Sequence, residues 1–444
     1  VHNLGMSSAL GHFILRHEKA DDMKGIVQTT FIAAAFFLPF NLMAQELQNF
    51  EIVGRYFYGD SAFGPVIGVC IDGGYIYLAA NFDSIRVFAV DMEGLPTQEV
   101  GGSSPEWNVE NLHKFDNLLV GVTPVWGSGY DIFDVSLPDS IRHLCHVNEG
   151  SETISHPEIS GGYLYTPVGN YFEGVGMKCY DISDPSNPVL TDWIFPRERG
   201  PGFDLAINGT VGYLTFIDAR MTVINLENPY DMFEISPLDN YGGPVELHGR
   251  NLFVGPDIYG DSTLMIFDVN DPAQPNELPS VLINIHKLFS MRIRNDGFLL
   301  IHGDNWLIDG TQGISIWDIG GFEYPELLAS FKYPWYSTNT FLQFDAKDNF
   351  IYYAAGDSGL YVLRYTGPMP INTGDANNSG AVNGIDVVYM VNYFRSPEPP
   401  PLPDPPERGD ANGDCVVNGL DVVYLVNYLK GYGEKPIRAF CYGR

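Results

Sequence analysis

The sequence predicts an all-β fold, a seven-bladed β-propeller, carrying a small C-terminal α-helical, EF-hand-like module. Three observations lead there. One apolar phrase recurs seven times at intervals of about 43 to 50 residues, within the range of propeller blades and β-rich repeats. A tight-turn signal between alternating apolar runs precedes each phrase, the pattern of a β-hairpin. Near the C-terminus a loop and its following helix occur twice, as GDANNSGAVNGIDVVYMVNYF from Gly374 and GDANGDCVVNGLDVVYLVNYL from Gly409.

The phrase reads Val87-Phe-Ala-Val-Asp91, Ile132-Phe-Asp-Val-Ser136, Cys179-Tyr-Asp-Ile-Ser183, Val223-Ile-Asn-Leu-Glu227, Ile266-Phe-Asp-Val-Asn270, Ile316-Trp-Asp-Ile-Gly320 and Val362-Leu-Arg-Tyr365. The turns ahead of it are Asp72-Gly-Gly74, Asp116-Asn117, Gly161-Gly162, Asn208-Gly209, His248-Gly-Arg-Asn251, Asn295-Asp-Gly297 and Lys347-Asp-Asn349. After it, several units continue through prolines into a further strand, as in Asp184-Pro-Ser-Asn-Pro188 and Asp271-Pro-Ala-Gln-Pro275. Each unit therefore has four strands. The last stops at Tyr365 with three, whereas Phe50-Glu-Ile-Val-Gly-Arg-Tyr-Phe57 resembles the fourth-strand run Pro325-Glu-Leu-Leu-Ala-Ser-Phe331. The first strand is thus expected to complete the last blade and remove the open edge of a linear array. An open solenoid, or a ring of six or eight blades, is the alternative. The phrase and its proline-bearing follow-up resemble the LVIVD repeat, a bacterial propeller repeat of exported proteins, over roughly Phe50 to Thr366; Asn225 and Arg364 depart from its Asp.

The duplicated loops place oxygen donors at positions one, three, five and twelve, with a carbonyl at seven, the spacing by which a short loop wraps a hard cation before a helix. In the first copy these are Asp375, Asn377, Ser379 and Asp386, with the Ala381 carbonyl. In the second they are Asp410, Asn412, Asp414 and Asp421, with the Val416 carbonyl. The reading is two Ca2+ sites; metal-free Asx turns are the competing one. Ser379 leaves loop 1 with two carboxylates where loop 2 has three, and charge count helps set affinity. Cys415 stands at position six, where the sharp turn favours glycine, at a cost of about 1 kcal/mol.

Position twelve is Asp rather than Glu and no complete helix precedes either loop, so the pair departs from the calmodulin-like pattern. It resembles a type I dockerin over about the last seventy residues. That resemblance implies a calcium-folded module whose paired helices bind a cohesin-like domain. The contact residues it implies are Gly384, Ile385, Val391 and Asn392, with Gly419, Leu420, Val426 and Asn427 as twofold equivalents.

The expected organisation is an upstream extension at 1–22, a secretory signal at 23–44, the propeller at 45–367, a linker at 368–373 and the dockerin-like module at 374–444, with a stiff proline-rich spacer at 396–406. The signal reading rests on Met23-Lys-Gly, the apolar run Ile26 to Phe40 and Ala44 before Gln45. An uncleaved anchor competes, but the run is short for a span and contains Pro39. The mature chain is read as secreted or surface-associated, without a membrane span. Acidic residues outnumber basic ones 55 to 24, a formal charge of −31, which argues against nucleic acid or an anionic membrane as partner. Five cysteines in a long exported chain make no disulfide framework. Cys70 and Cys179 read as buried free thiols in strands; for Cys415 and Cys441, a bridge and two thiols are both open.

Chemistry in the propeller is harder to read. Loops between second and third strands carry Asp83, Glu173, Asp218, Asp257 with Asp261, Asp304 with Asp309, and Asp357, with Tyr171, Tyr259 and Trp306 nearby. These suit cations or polyhydroxylated ligands, or serve only as turn residues. His143, His146, His156, His248 and His302 read as structural, and no zincin motif, Gly-x-Ser-x-Gly elbow or phosphate loop occurs. The sequence-level conclusion is a secreted, non-catalytic propeller for carbohydrate or protein recognition, docked by its module. The rivals are a polysaccharide-degrading glycoside hydrolase, lyase or accessory, by association with the module, and a surface-layer spacer.

Overall fold

The computed structural model describes residues 49–442 except 57–65, 81–83, 105–108, 124–127, 151–152, 155, 171–173, 198–201, 217–219, 240, 257–261, 284, 286, 295, 305–311, 322, 334–342 and 357. The expected signal and upstream extension lie outside the described residues. Seven antiparallel sheets make seven blades. Residues 66–103, 111–150, 153–197, 202–239, 245–282 and 287–333 form blades 1 to 6, and 344–365 with the strand Phe50–Tyr56 forms blade 7. The N-terminal strand pairs antiparallel with the last strand of the ring, Phe50 opposite Tyr365 and Tyr56 opposite Leu360, so the ring closes as the sequence suggests.

The recurring phrase falls on the third strand of each blade, from Ser84–Val90 in blade 1 to Leu360–Tyr365 in blade 7. Its acidic residue ends that strand. Oδ1 of Asp134, Asp181, Asn225, Asp268 and Asp318 each accepts the backbone N–H two residues on, at 2.8 to 3.1 Å. This is an Asx turn, which an amide oxygen makes as well as a carboxylate, so Asn225 is no departure in physical terms. Arg364 serves the closure of the ring instead, since its guanidinium donates to Glu51 of the closing strand at 2.7 Å. The hairpin turns take left-handed backbone where expected, at Gly73, Asp116, Gly161, Gly209, Gly249, Gly297 and Asp348.

Successive blades bury one apolar cluster per interface. Blade 1 meets blade 2 through Tyr77, Val87, Leu119 and Phe133, for example, and blade 6 meets blade 7 through Leu300, Ile316, Tyr353 and Leu363. Phe50 joins the cluster between blades 6 and 7, which ties the closing strand into the core as well as into the ladder. Blade 3 has its first strand broken into Thr153–Ile154 and Glu158–Ser160. Pro157 lies in the break, where it lacks the N–H that a continuous ladder needs.

The module contributes two helices, α1 (Gly384–Arg395) and α2 (Gly419–Leu429). Each starts with a reciprocal cap, Asn383 with Asp386 and Asn418 with Asp421, which satisfies two orphan donors at once. Met390 and Leu425 are buried between the halves. The proline-rich segment runs back along α1, where the Tyr389 hydroxyl donates to the Pro401 carbonyl at 2.8 Å, and leads into a short turn, Pro406–Arg408. No helix among the described residues is long and apolar enough to cross a membrane.

Candidate functional site

The two loops have nearly the same internal geometry. In loop 1, Asp375 accepts the N–H of Ser379 on Oδ1 and of Gly380 on Oδ2, both at 2.8 Å. In loop 2, Asp410 accepts those of Asp414 and Cys415 at 3.1 and 3.0 Å. Asp386 accepts from Asn377 and Asn383, and Asp421 from Asn412 and Asn418. Each loop therefore buries two carboxylates, Asp375 with Asp386 and Asp410 with Asp421. Burial, together with the Asp421 charge beside it, pushes the Asp410 carboxyl up to about 6. In loop 1 the buried Oδ1 of Asn377 has no hydrogen-bond partner. Two buried carboxylates and an orphaned amide oxygen form an oxygen-only donor set that suits a hard cation.

Cys415 has φ +68°, the left-handed conformation expected of position six, and it is disulfide-bonded to Cys441. That settles the open alternative in favour of the bridge. The bridge fastens loop 2 to a tail that runs onto the propeller. Phe440 is fully buried in the cluster between blades 5 and 6, against Phe253, with ring centroids 5.7 Å apart. The Arg438 guanidinium donates to both oxygens of Asp318 at 2.7 and 2.9 Å. His248 Nε2 lies 2.8 Å from the Arg438 carbonyl, and Gly321 exchanges backbone hydrogen bonds with Ala439 and Cys441. Blade 6 makes room with glycines. A Cβ on Gly320 would stand 2.6 Å from Arg438 Cδ, and one on Gly321 would stand 1.8 Å from Glu407 Oε1.

The surface residues implied as partner contacts stay open. Ile385 and Leu420 are 65% and 61% exposed, and Val388 and Val423 are exposed one turn on. Gly384, Asn392, Gly419 and Asn427 are exposed, and Val391 and Val426 half-buried. Positions i, i+3 and i+7 share a helix face, so Ile385, Val388 and Asn392 make one stripe and Leu420, Val423 and Asn427 its equivalent.

The propeller loop carboxylates read as ligand-binding or as turn residues, Asp83, Glu173, Asp218, Asp257, Asp261, Asp309 and Asp357, lie outside the described residues, as do Tyr171, Tyr259 and Trp306; Asp304 ends a strand of blade 6. The sequence reading missed a second set, on the first strands facing the central channel. His113, His156, Glu158, Asp204, Glu246, Ser290, Arg292 and Asp345 line a cavity of about 110 Å³ there. A detectable signal existed: Cys70, His113, Glu158, Glu246 and Asp345 each stand two residues before the last paired residue of their strand.

Much of this set staples blade to blade. Asp204 accepts the N–H of Val245 at 3.0 Å, and Asp345 that of Ile71 at 2.9 Å. The Gln343 side chain accepts from Val69 and Leu112 and donates to the Leu112 carbonyl. These satisfy edge donors that first strands would otherwise leave unpaired. Burial and the Glu246 and Asp204 charges push the Glu158 carboxyl up to about 8; burial pushes Glu246 up to about 7, against the lowering effect of Arg292. Burial also lowers His113, whereas at His156 the Asp204 and Glu246 charges outweigh burial and raise it. The cavity is well below the ~300 Å³ at which ligand pockets start. Of the other histidines, His143 and His146 flank buried Asp131 at 2.8 and 3.3 Å, and His302 contacts the Tyr353 hydroxyl. Cys70, Cys145 and Cys179 are free, and Cys70 and Cys179 are buried, as expected.

A seven-bladed β-propeller bearing a paired loop-helix module defines the class of protein. Residues 373–430 match the dockerin type I domain family, and the module is a type I dockerin. Such domains bind calcium, and the domain implies a cohesin partner. Among solved structures, the chain is similar to a computationally designed protein at 13% identity, covering 70% of this chain and 100% of that one with a TM-score of 0.50. It is similar to a periplasmic gluconolactonase of Pseudomonas aeruginosa at 14% identity, covering 65% and 96% with a TM-score of 0.50. A chain of a mitotic checkpoint complex is 12% identical, with 81% and 99% covered and a TM-score of 0.50. These likenesses establish the propeller fold alone. No curated protein matches the chain in sequence.

Proposed function

We propose that the protein is secreted and held on a cohesin-bearing scaffold or cell surface by its dockerin, with the propeller presented for recognition of a carbohydrate or protein ligand. Two calcium ions serve the module. Asp375, Asn377, Ser379, the Ala381 carbonyl and Asp386 hold one; Asp410, Asn412, Asp414, the Val416 carbonyl and Asp421 hold the other. Gly384, Ile385, Val391 and Asn392, or their equivalents Gly419, Leu420, Val426 and Asn427, contact the cohesin.

The observation that carries this reading is the pair of equivalent helix stripes, each led by an exposed large apolar residue, Ile385 or Leu420, over loops that each bury two carboxylates. Exposed apolar residues on a small acidic module are the feature that a partner covers. The test is capture of the full-length chain by a panel of immobilised cohesins, with calcium and with chelator. Calcium-dependent capture by at least one, lost in a chain carrying both Ile385→Asp and Leu420→Asp, supports the reading. Capture that ignores chelator removes it. Screening the same chain against a polysaccharide panel, scoring binding and reducing-sugar release separately, tests the propeller's part.

A further inference from the structure

We propose that the propeller sets the calcium affinity of loop 2, through the tail seated between blades 5 and 6, and leaves loop 1 to fold on its own terms. This rests on the calcium reading of the loops. A continuous path of bonds joins the ring to the loop. Asp410 receives the N–H of Cys415 on Oδ2 at 3.0 Å. The Cys415 side chain is bonded to Cys441, whose N–H donates to the Gly321 carbonyl at 2.8 Å, and Gly321 N–H donates to the Ala439 carbonyl at 2.8 Å. Between these two tail residues stands Phe440, buried in the blade 5 and 6 core. The first carboxylate of loop 2 is therefore oriented by a residue that the ring holds in place.

Loop 1 lacks this covalent path to the ring, and its Asp375 lies 3.6 Å from the Arg408 guanidinium of the module instead. The equivalent donor to Asp375 is the N–H of Gly380, at 2.8 Å, and Gly380 has open space where a side chain would be. The difference also explains an otherwise costly residue. Position six needs positive φ, which glycine takes freely and cysteine does not; Cys415 accepts that strain and gains the bridge. Groups that orient a metal ligand without touching the metal typically change affinity 10–100-fold. Coupling of this kind is reciprocal, so calcium in loop 2 must also hold the tail in its seat.

The experiment uses the full-length chain carrying Asp386→Ala, so that calorimetry with calcium reads loop 2 alone. Phe440→Ala is then added to empty the seat, and Cys441→Ser, in a separate chain, to cut the bridge while keeping Phe440. The expected result is loss of calcium affinity by about tenfold or more in each, and recovery with Phe440→Leu, which refills the seat. The reciprocal readout is trypsin cleavage after Arg438, which is buried in the seated tail and which calcium should protect in the parent chain and not in the Cys441→Ser chain. If Phe440→Ala does not fold, Cys441→Ser decides. Affinity within twofold of the parent in Cys441→Ser overturns the coupling. An Asp386→Ala chain that binds no calcium at all overturns the calcium reading of loop 2 itself.

Discussion

Loop 1 and loop 2 differ at few positions, make the same backbone hydrogen bonds to their first and last carboxylates, and launch helices with the same caps. Their surroundings differ more than their sequences do. Loop 1 faces solvent at position six, while loop 2 is fastened to a tail that forms part of the propeller core. Duplicated sequence thus yields matched local geometry and unmatched context. The helices bear equivalent stripes, and among the described residues the disulfide-linked tail reaches loop 2 and not loop 1.

The largest expected effect breaks both loops together. Chelator should abolish cohesin capture, and the module's helical circular dichroism should fall with it, because structural cations supply folding energy to small modules. Next comes Phe440→Ala, which removes a fully buried ring from the interface, where only the partly buried Tyr442 of the tail packs beside it. We expect a loss of about 3–5 kcal/mol, read by denaturant unfolding. The matching change on the exposed stripe, Ile385→Ala, should cost less than about 0.5 kcal/mol. Arg438→Ala should fall between them at about 1–3 kcal/mol, since it leaves Asp318 without its bidentate partner. A smaller effect sharpens the difference in charge: Ser379→Asp gives loop 1 a third carboxylate and should raise its calcium affinity severalfold, read by calorimetry in a chain with Asp421→Ala.

The ring also responds to pH away from either loop. Glu158 keeps its proton up to about 8 in the folded ring, against an ordinary 4.5. Between those values the folded state holds more protons than the unfolded chain, so this group makes stability fall as pH rises from about 4.5 to about 8. A Glu158→Gln chain should show a flatter fall in melting temperature across that window than the parent. An unchanged slope would place the pH response elsewhere.

The sequence made the ring legible because its signals are local and repeated. A phrase that ends in an Asx turn, a hairpin turn with positive φ and a proline before the outer strand all lie within one blade. Closure was legible too, since Phe50-Glu-Ile-Val resembles the fourth strand that blade 7 lacks. The channel residues were missed for a different reason. Glu158, Asp204, Glu246 and Asp345 sit on first strands whose residues vary from blade to blade, and Asp204, Glu246 and Asp345 each accept a backbone N–H from the next blade, of Val245, Ile293 and Ile71. The seat of the tail had no sequence signal at all. Arg438 meets Asp318 across 120 residues and its carbonyl meets His248 across 190, and nothing periodic links those positions. Gly320, read only as the end of a phrase, and its neighbour Gly321 were the nearest clue.

The seat between blades 5 and 6 also bears on mechanics. A module joined to its carrier by one linker swivels when its partner is pulled, and the pull unpeels whichever strand the linker follows. Here a pull on the helices reaches the ring at two places, the end of blade 7 at Tyr365 and the pocket that holds Phe440. Two attachments on different blades form a lever arm that resists rotation. Part of the tension is spread as shear across an apolar interface, and less of it falls on the strand Leu360–Tyr365.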